Sequence, residues 1–351
     1  MSRIKPAVVG ARTAAARSIF RLPRAVLRRL AGPPIVIDGK TLDVEMHMIL
    51  RFQRLEGPPV ESLPMAKARR NFVASARLVG GNNPIGAVTD RVIDGPGGPI
   101  GLRLYTPRGI SGTSPALMYI HGGSFMHGDL DSHDSVCRIL AEQAQVRVIA
   151  VDYRLAPEAP FPAAVDDTWA AWTWVNAHAA DLGIDPARIA VGGDSAGGNL
   201  SAVVAQRAVR EGGPAPAFQV LIYPTTVFGQ PTKSRDTFAD GFYLSRAGMD
   251  LADANYLPAD ADLTDPLLSP LLGDPTGVAP AYVVTAGFDP LLDEGEAYAD
   301  RLREAGVPVE YRCEEGMIHA FANMTGMGRS AAEATSRIAS ALQRGLGEPT
   351  S

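Results

Sequence analysis

The chain has 351 residues, 46% of them hydrophobic and 20% charged, with a formal net charge of −5. One core seldom exceeds about 250–300 residues, so a large domain with an appendage is expected, and the apolar share excludes a disordered body. The net negative charge gives no footprint for a nucleic-acid partner, and two cysteines, Cys137 and Cys313, exclude a disulfide framework and fit a reducing, cytoplasmic setting.

The first thirty residues carry eight basic side chains, from Arg3 to Arg29, and no acid precedes Asp38. Ile19, Leu22, Val26, Leu27 and Leu30 recur at helical spacing, so the segment reads as a basic amphipathic helix. Such an arm packs on its own domain with its arginines in water, or makes weak contact with an anionic membrane surface as a peripheral protein; the first reading is preferred. Arg12 and Arg17 interrupt any signal-peptide core, and no apolar run reaches the roughly 18 residues of a membrane span. Because the arm lies far ahead of the first core strand, residues 1–30 are expected to matter for substrate access and surface association rather than for core stability.

Residues 41–56 predict a helix capped by Thr41, with Leu42, Met46, Ile49 and Leu50 on one face and Gly57-Pro58 as its stop. A second helix is expected after Ser62, with Pro64 in its first turn and its end near Gly80-Gly81. The core then begins. Residues 88–93 and 100–106 flank Gly95-Pro96-Gly97-Gly98 in a hairpin pattern. Apolar strands at 116–120, 146–151, 188–191, 218–223 and 282–286 alternate with helices near 132–143, 162–180, 196–210 and 295–305, before a last strand at 309–313 and a last helix at 331–344. Continuous apolar strands separated by helices predict an α/β fold, a mostly parallel sheet covered by helices on both faces. Right-handed crossovers would gather the strand C-terminal ends on one functional edge. Between 225 and 275 the pattern weakens into aromatic and acidic residues with proline, which reads as an insertion over that edge.

Gly193-Asp194-Ser195-Ala196-Gly197 lies between a predicted strand and a predicted helix. A serine on so sharp a turn projects its hydroxyl from the sheet edge, and the helix N-terminus favours negative charge beside it. His121-Gly122-Gly123-Ser124-Phe125 directly follows another strand. Ester hydrolysis builds negative charge on the carbonyl oxygen, and the amides of Gly122, Gly123 and Ala196 are the expected donors to it. His121 itself is expected to be a structural hydrogen-bonding residue. The third member of a triad must be an acid between nucleophile and histidine in chain order. Asp289 follows the strand at 282–286 closely; Asp293 and Glu294 are rivals one turn later, where carboxylates suit a helix start anyway. No histidine other than His319 follows Ser195.

In these motifs, together with Asp152-Tyr153-Arg154-Leu155-Ala156-Pro157-Glu158 and Asp289-Pro290-Leu291, the chain resembles the bacterial hormone-sensitive-lipase family of α/β-hydrolases, over about residues 85–345. The resemblance implies the α/β-hydrolase fold with an eight-stranded sheet and a helical cap. Residues 1–80 would then be the basic arm and cap helices, and 81–351 the catalytic domain with a cap insertion at about 225–265. It further implies a short-chain carboxylesterase with Ser195, Asp289 and His319 as triad, Phe125, Asp194, Phe242 and Tyr243 at the substrate site, and neither metal nor cofactor. Two positions depart from the family: Ser124 replaces the usual third glycine, and Ala320 stands where glycine often follows the catalytic histidine. An interfacial lipase, favoured by the basic arm and by Phe228, Phe238, Phe242 and Tyr243, and a non-catalytic ligand receptor are the alternatives. The partner expected is a small acyl ester, and a homodimer is admitted.

Overall fold

The computed structural model of the chain describes residues 17–54, 59–81 and 83–347. It begins with helix α1 (Arg24–Ala31), a two-stranded ribbon of β1 (Val36–Ile37) and β2 (Lys40–Thr41), and helices α2 (Val44–Gln53) and α3 (Met65–Gly80). The core strands follow as β3 (Ala87–Gly95), β4 (Gly98–Thr106), β5 (Ser114–Ile120), β6 (Arg147–Asp152), β7 (Ile184–Asp194), β8 (Phe218–Ile222), β9 (Ala281–Phe288) and β10 (Val309–Ile318). Between and after them lie α4 (Asp134–Ala144), α5 (Ala163–Ala177), α6 (Ala196–Glu211), α7 (Lys233–Thr237), α8 (Arg246–Tyr256), α9 (Leu292–Glu304) and α10 (Ser330–Leu346).

Among the described residues the eight core strands form one sheet in the order β10-β9-β8-β7-β5-β6-β4-β3. β3 and β4 are an antiparallel hairpin whose register closes at Gly95 and Gly98, and β4 runs antiparallel to β6. All other pairings are parallel. Every residue of β5, β8 and β9 is buried because both faces are covered, which is why those stretches are apolar without alternation. The two faces separate by strand period. Leu117 and Tyr119 point into a core with α4 and α10, whereas Ala116, Met118 and Ile120 point toward α5 and α6. The C-terminal ends of β5, β7, β8, β9 and β10 therefore open on one edge.

Two expectations about the N-terminal region change. Thr41 caps no helix; it pairs with Val36 in the ribbon. α2 starts three residues later, where the Asp43 carboxylate accepts from the Glu45 N–H at 2.8 Å; a charged oxygen satisfies a helix's orphan N–H groups better than a hydroxyl. The proposed stop at Gly57-Pro58 lies outside the described residues. Residues 1–16 of the basic arm do too, but the rest of the arm is not peripheral. Pro23, lacking an N–H, starts α1 afresh, so the stripe from Ile19 to Leu30 does not run on one helix. Phe20, Leu27 and Ala31 are buried in the same core cluster as Met46, Ile49 and Leu50. Arg24 bonds Asp43 at 2.5 Å and Ser330 Oγ at 3.1 Å. Leu22, Val26 and Leu30 face outward.

Candidate active site

Ser195 stands between β7 and α6 with φ 56° and ψ −120°, a conformation that L-residues adopt only under strain. The surroundings hold it there. Its N–H donates to Ile222 O at 2.9 Å, and the elbow presses so close to β5 that a Cβ on Gly197 would lie 1.9 Å from Ile120 O. A side chain at that position would push helix from strand, so glycine is obligatory.

β10 and β9 deliver the partners. His319 follows β10 directly, and its Nε2 lies 3.0 Å from Ser195 Oγ. Asp289 follows β9, and its Oδ2 lies 2.7 Å from His319 Nδ1 while Oδ1 accepts from the Leu291 N–H at 2.9 Å. Since a carboxylate only accepts, Nδ1 carries the proton and Nε2 is left free to accept from the serine hydroxyl. Ser195, His319 and Asp289 are 7%, 5% and 0% exposed, so water does not dilute these contacts. The rival acids are used elsewhere. Asp293 accepts from the Ser234 N–H at 2.8 Å, and Glu294 pairs with Arg235 at 2.7 Å and accepts from the Thr226 N–H at 2.9 Å.

The loop after β5 differs from expectation at one donor. The Gly122 N–H points inward and donates to Asp194 Oδ1 at 3.0 Å. Gly123, Ser124 and Phe125 then follow with φ of 123°, 56° and 58°. Among the described residues the N–H groups of Gly123 and Ser124 donate to no protein acceptor, and that of Ala196, first in its helix, has no intrahelical one. Gly122 is thereby committed to Asp194, while the N–H groups of Gly123, Ser124 and Ala196 are left without such a partner. A Cβ on Gly123 would meet His127 O at 2.2 Å, which keeps that position glycine.

Asp194 is not at the substrate surface. It is buried under the loop, where it accepts from Tyr119 Oη at 2.7 Å, Gly122 N and Asn323 Nδ2 at 3.0 Å, with His133 Nε2 at 3.3 Å. Burial by itself would raise its pKa, but His133 and these donors outweigh it and hold the carboxyl well below the usual range. Its work is to fix the loop from beneath. His121 is a further brace. Its Nδ1–H donates to Gly122 O at 2.8 Å and its ring stacks on Tyr153 at 4.3 Å; burial pushes its pKa down to about 4, with His133 adding to the effect. Arg69 of α3 ties the same loop down by donating to Met126 O and Ala156 O, each at 2.8 Å. No local pattern in the sequence marks Arg69, because its partners lie about 57 and 87 residues away.

A small pocket of about 30 Å³, partly open to solvent, adjoins Ser195. Phe125 lines it, stacked on Tyr256 at 3.9 Å. Phe242 and Tyr243 do not line it; Phe242 packs edge-on to Phe238 and against Phe288, while Leu244 takes the pocket wall. Thr225, Phe228, Arg235, Met249, Asp253 and Leu291 also line it; those from the insertion were not legible in the sequence because the insertion has no regular period. A larger cleft at Arg77, Arg103 and Asp131 contains none of Ser195, Asp289 and His319, and its charges pair with one another, Arg103 with Asp90 at 2.7 Å and Asp131 at 2.8 Å.

A family model described as an alpha/beta hydrolase fold matches residues 117–323. The carboxylic ester hydrolase LipN of Mycobacterium tuberculosis is 44% identical over 327 residues, 90% of this chain and 86% of its own. An ethyl acetate hydrolase of Pseudomonas putida is 39% identical over 296 residues, 82% of this chain and 92% of its own. Among solved structures, an ester-hydrolase from the metagenome of Lake Arreo, complexed with a derivative of bipyridine phosphonate, has a TM-score of 0.85 at 43% identity, covering 88% of this chain and 100% of that one.

Proposed function

This chain belongs to the α/β-hydrolase family and is a carboxylic ester hydrolase; on that premise we propose that Ser195 is its nucleophile, His319 its base and Asp289 the acid that orients the base. His319 Nε2 takes the Ser195 proton as Oγ attacks the ester carbonyl. The C=O π electrons move to oxygen, and the amides of Gly123, Ser124 and Ala196 receive that charge. Each such donor is worth roughly 3–4 kcal/mol of barrier. Asp289 keeps the proton on Nδ1 and stabilises the imidazolium. His319 then protonates the departing alcohol, and water repeats the cycle on the acyl-enzyme.

The observation that carries this reading is the buried line from Ser195 Oγ to Asp289, 3.0 and 2.7 Å, on a serine held at positive φ. A p-nitrophenyl phosphonate should add one phosphonyl group to Ser195, located by mass spectrometry. Ser195→Ala should stay unlabelled and lose about 10⁴–10⁶ of turnover, because triad members act as a unit. Label elsewhere, or turnover retained by Ser195→Ala, would refute the assignment.

Short acyl chains are the proposed substrates. Contacts join the N-terminal region to the insertion beside the pocket: Ser245 Oγ bonds Glu61 at 2.8 Å, and Lys233 bonds Asp38 at 2.8 Å. We assign both segments to one cap. A rate profile from acetyl to palmitoyl esters should peak by about hexanoyl, since each methylene gains about 0.8 kcal/mol only while it can be buried. No helix among the described residues is long and apolar enough to cross a membrane. Weak surface contact is supported by the outward Leu22, Val26 and Leu30 beside Arg21, Arg28 and Arg29.

A further inference from the structure

Most of the pocket wall beside Ser195 is apolar, with Phe125, Phe228, Leu244, Met249 and Leu291 among its residues. Two charged side chains interrupt it, Arg235 on α7 and Asp253 on α8. They differ in how they are satisfied. Arg235 Nε and Nη2 lie 2.9 and 2.7 Å from Glu294 Oε2, and Nη2 also donates to Val227 O at 3.2 Å. The Asp253 carboxylate accepts no hydrogen bond from any described residue; only its backbone carbonyl is used, by the Leu257 N–H at 3.0 Å. Burial lifts its pKa to about 6, opposed by Arg235 and aided by Asp250. The helix needs no acid there, because α8 is anchored by Met249, Ala252 and Tyr256. A half-buried carboxylate without a protein donor takes its hydrogen bonds from solvent, and it becomes costly when a pocket occupant displaces that solvent without supplying a donor.

The identity of that donor follows from charge. A carboxylate would meet Asp253 and be repelled, and Arg235 already shares its charge with Glu294. An ammonium would meet the Arg235 guanidinium in the same confined space. A neutral hydroxyl suffers neither penalty. An alkyl chain that displaces solvent from Asp253 leaves the carboxylate bare, whereas a hydroxyl replaces the lost donor. We propose that Asp253 is a specificity-determining residue that selects esters carrying a hydroxyl a few atoms from the ester bond over their plain alkyl counterparts. This rests on the carboxylesterase reading and names its substrate class.

The test uses the full chain at pH 8 and two matched pairs. Ethyl 3-hydroxybutyrate against ethyl butyrate places the hydroxyl on the acyl side; 2-hydroxyethyl butyrate against propyl butyrate places it on the alcohol side. In the wild type, one pair should favour the hydroxylated member in kcat/KM by about tenfold or more, the scale of a hydrogen bond to a charged group. The favoured pair identifies which half of the ester faces Asp253. In Asp253→Leu that ratio should collapse toward one, and Asp253→Asn, which keeps an acceptor, should retain part of it. A wild-type ratio near one in both pairs, or a preference that survives Asp253→Leu, overturns the proposal while leaving the carboxylesterase intact. If the wild type turned over none of the four esters, the underlying reading would fall and this one with it.

Discussion

At the scale of residues, the site is a set of backbone conformations that only the surrounding fold enforces. Asp289 and Asp293 are four positions apart and chemically identical, yet one touches His319 and the other caps α7 through the Ser234 N–H. Asp289→Asn should therefore reduce kcat far more than Asp293→Asn, since asparagine preserves shape but misplaces the imidazole proton. Steady-state kinetics of the two variants checks the ranking, and the reverse order would mean the wrong carboxylate was chosen. Ala320 offers a second case. It follows the histidine with φ 64°, in the left-handed region where a Cβ costs roughly 1–2 kcal/mol. Ala320→Gly removes that strain but frees the unfolded chain, which returns about 0.4–1 kcal/mol. A small net gain in unfolding free energy is expected, measured by denaturant titration; a loss would show that the Ala320 methyl packs favourably enough to outweigh its backbone.

At the scale of elements, α1 shows how a stripe read from sequence can divide. Its inner residues, Phe20 before it and Leu27 and Ala31 within it, join the core built on α2. Glu45, from α2, accepts from the Arg329 and Ser330 N–H groups at 2.8 Å, so the N-terminal helices also cap the last helix of the chain. Leu27→Ala should cost about 2–5 kcal/mol of stability, the usual range for emptying a buried leucine site. Equilibrium unfolding decides this, and a change under half a kcal/mol would return α1 to the role of a loose arm. The outer residues make the contrasting prediction. Replacing Leu22, Val26 and Leu30, which are 39%, 37% and 48% exposed, with serine should leave stability nearly unchanged. If the arm touches membranes, the same change should weaken salt-sensitive binding to vesicles rich in anionic lipid, because that attraction is screened by ions.

At the scale of the whole molecule, the substrate pocket exists only where the insertion meets the sheet edge. Ser124, Ser195 and Leu291 come from the loops after three different strands, and Met249 and Asp253 from the insertion. Asp253 thereby acquires a pKa of about 6, above its unfolded value. For an acid with a raised folded pKa, the folded state binds the proton more tightly. Its stabilising contribution is present at acidic pH and is lost as pH rises through about 6. Asp253→Asn cannot lose it. The variant should melt above the wild type at pH 8, with the difference shrinking toward pH 5, as thermal unfolding across that range would reveal. A difference independent of pH would place the effect in packing rather than in ionisation.

The sequence by itself determined the parts that are local or periodic. The hairpin at Gly95–Gly98, the buried parallel strands and the helices between them follow from hydrophobic period and turn residues, which act over a few positions. The order of Ser195, Asp289 and His319 along the chain, each after a strand, was also legible, because a parallel sheet brings the C-terminal ends of its strands to one edge whatever their separation. Direction and partnership were not legible. Nothing in Gly122-Gly123-Ser124 says which amides stay free of protein partners; the buried Asp194 claims the first. Nothing in Phe242-Tyr243-Leu244 says which side chain reaches the pocket, since the insertion has no regular period to fix its faces. Those choices belong to tertiary structure because a hydrogen bond or a packed face is settled by whichever group arrives across the fold, and that group can stand tens or hundreds of residues away.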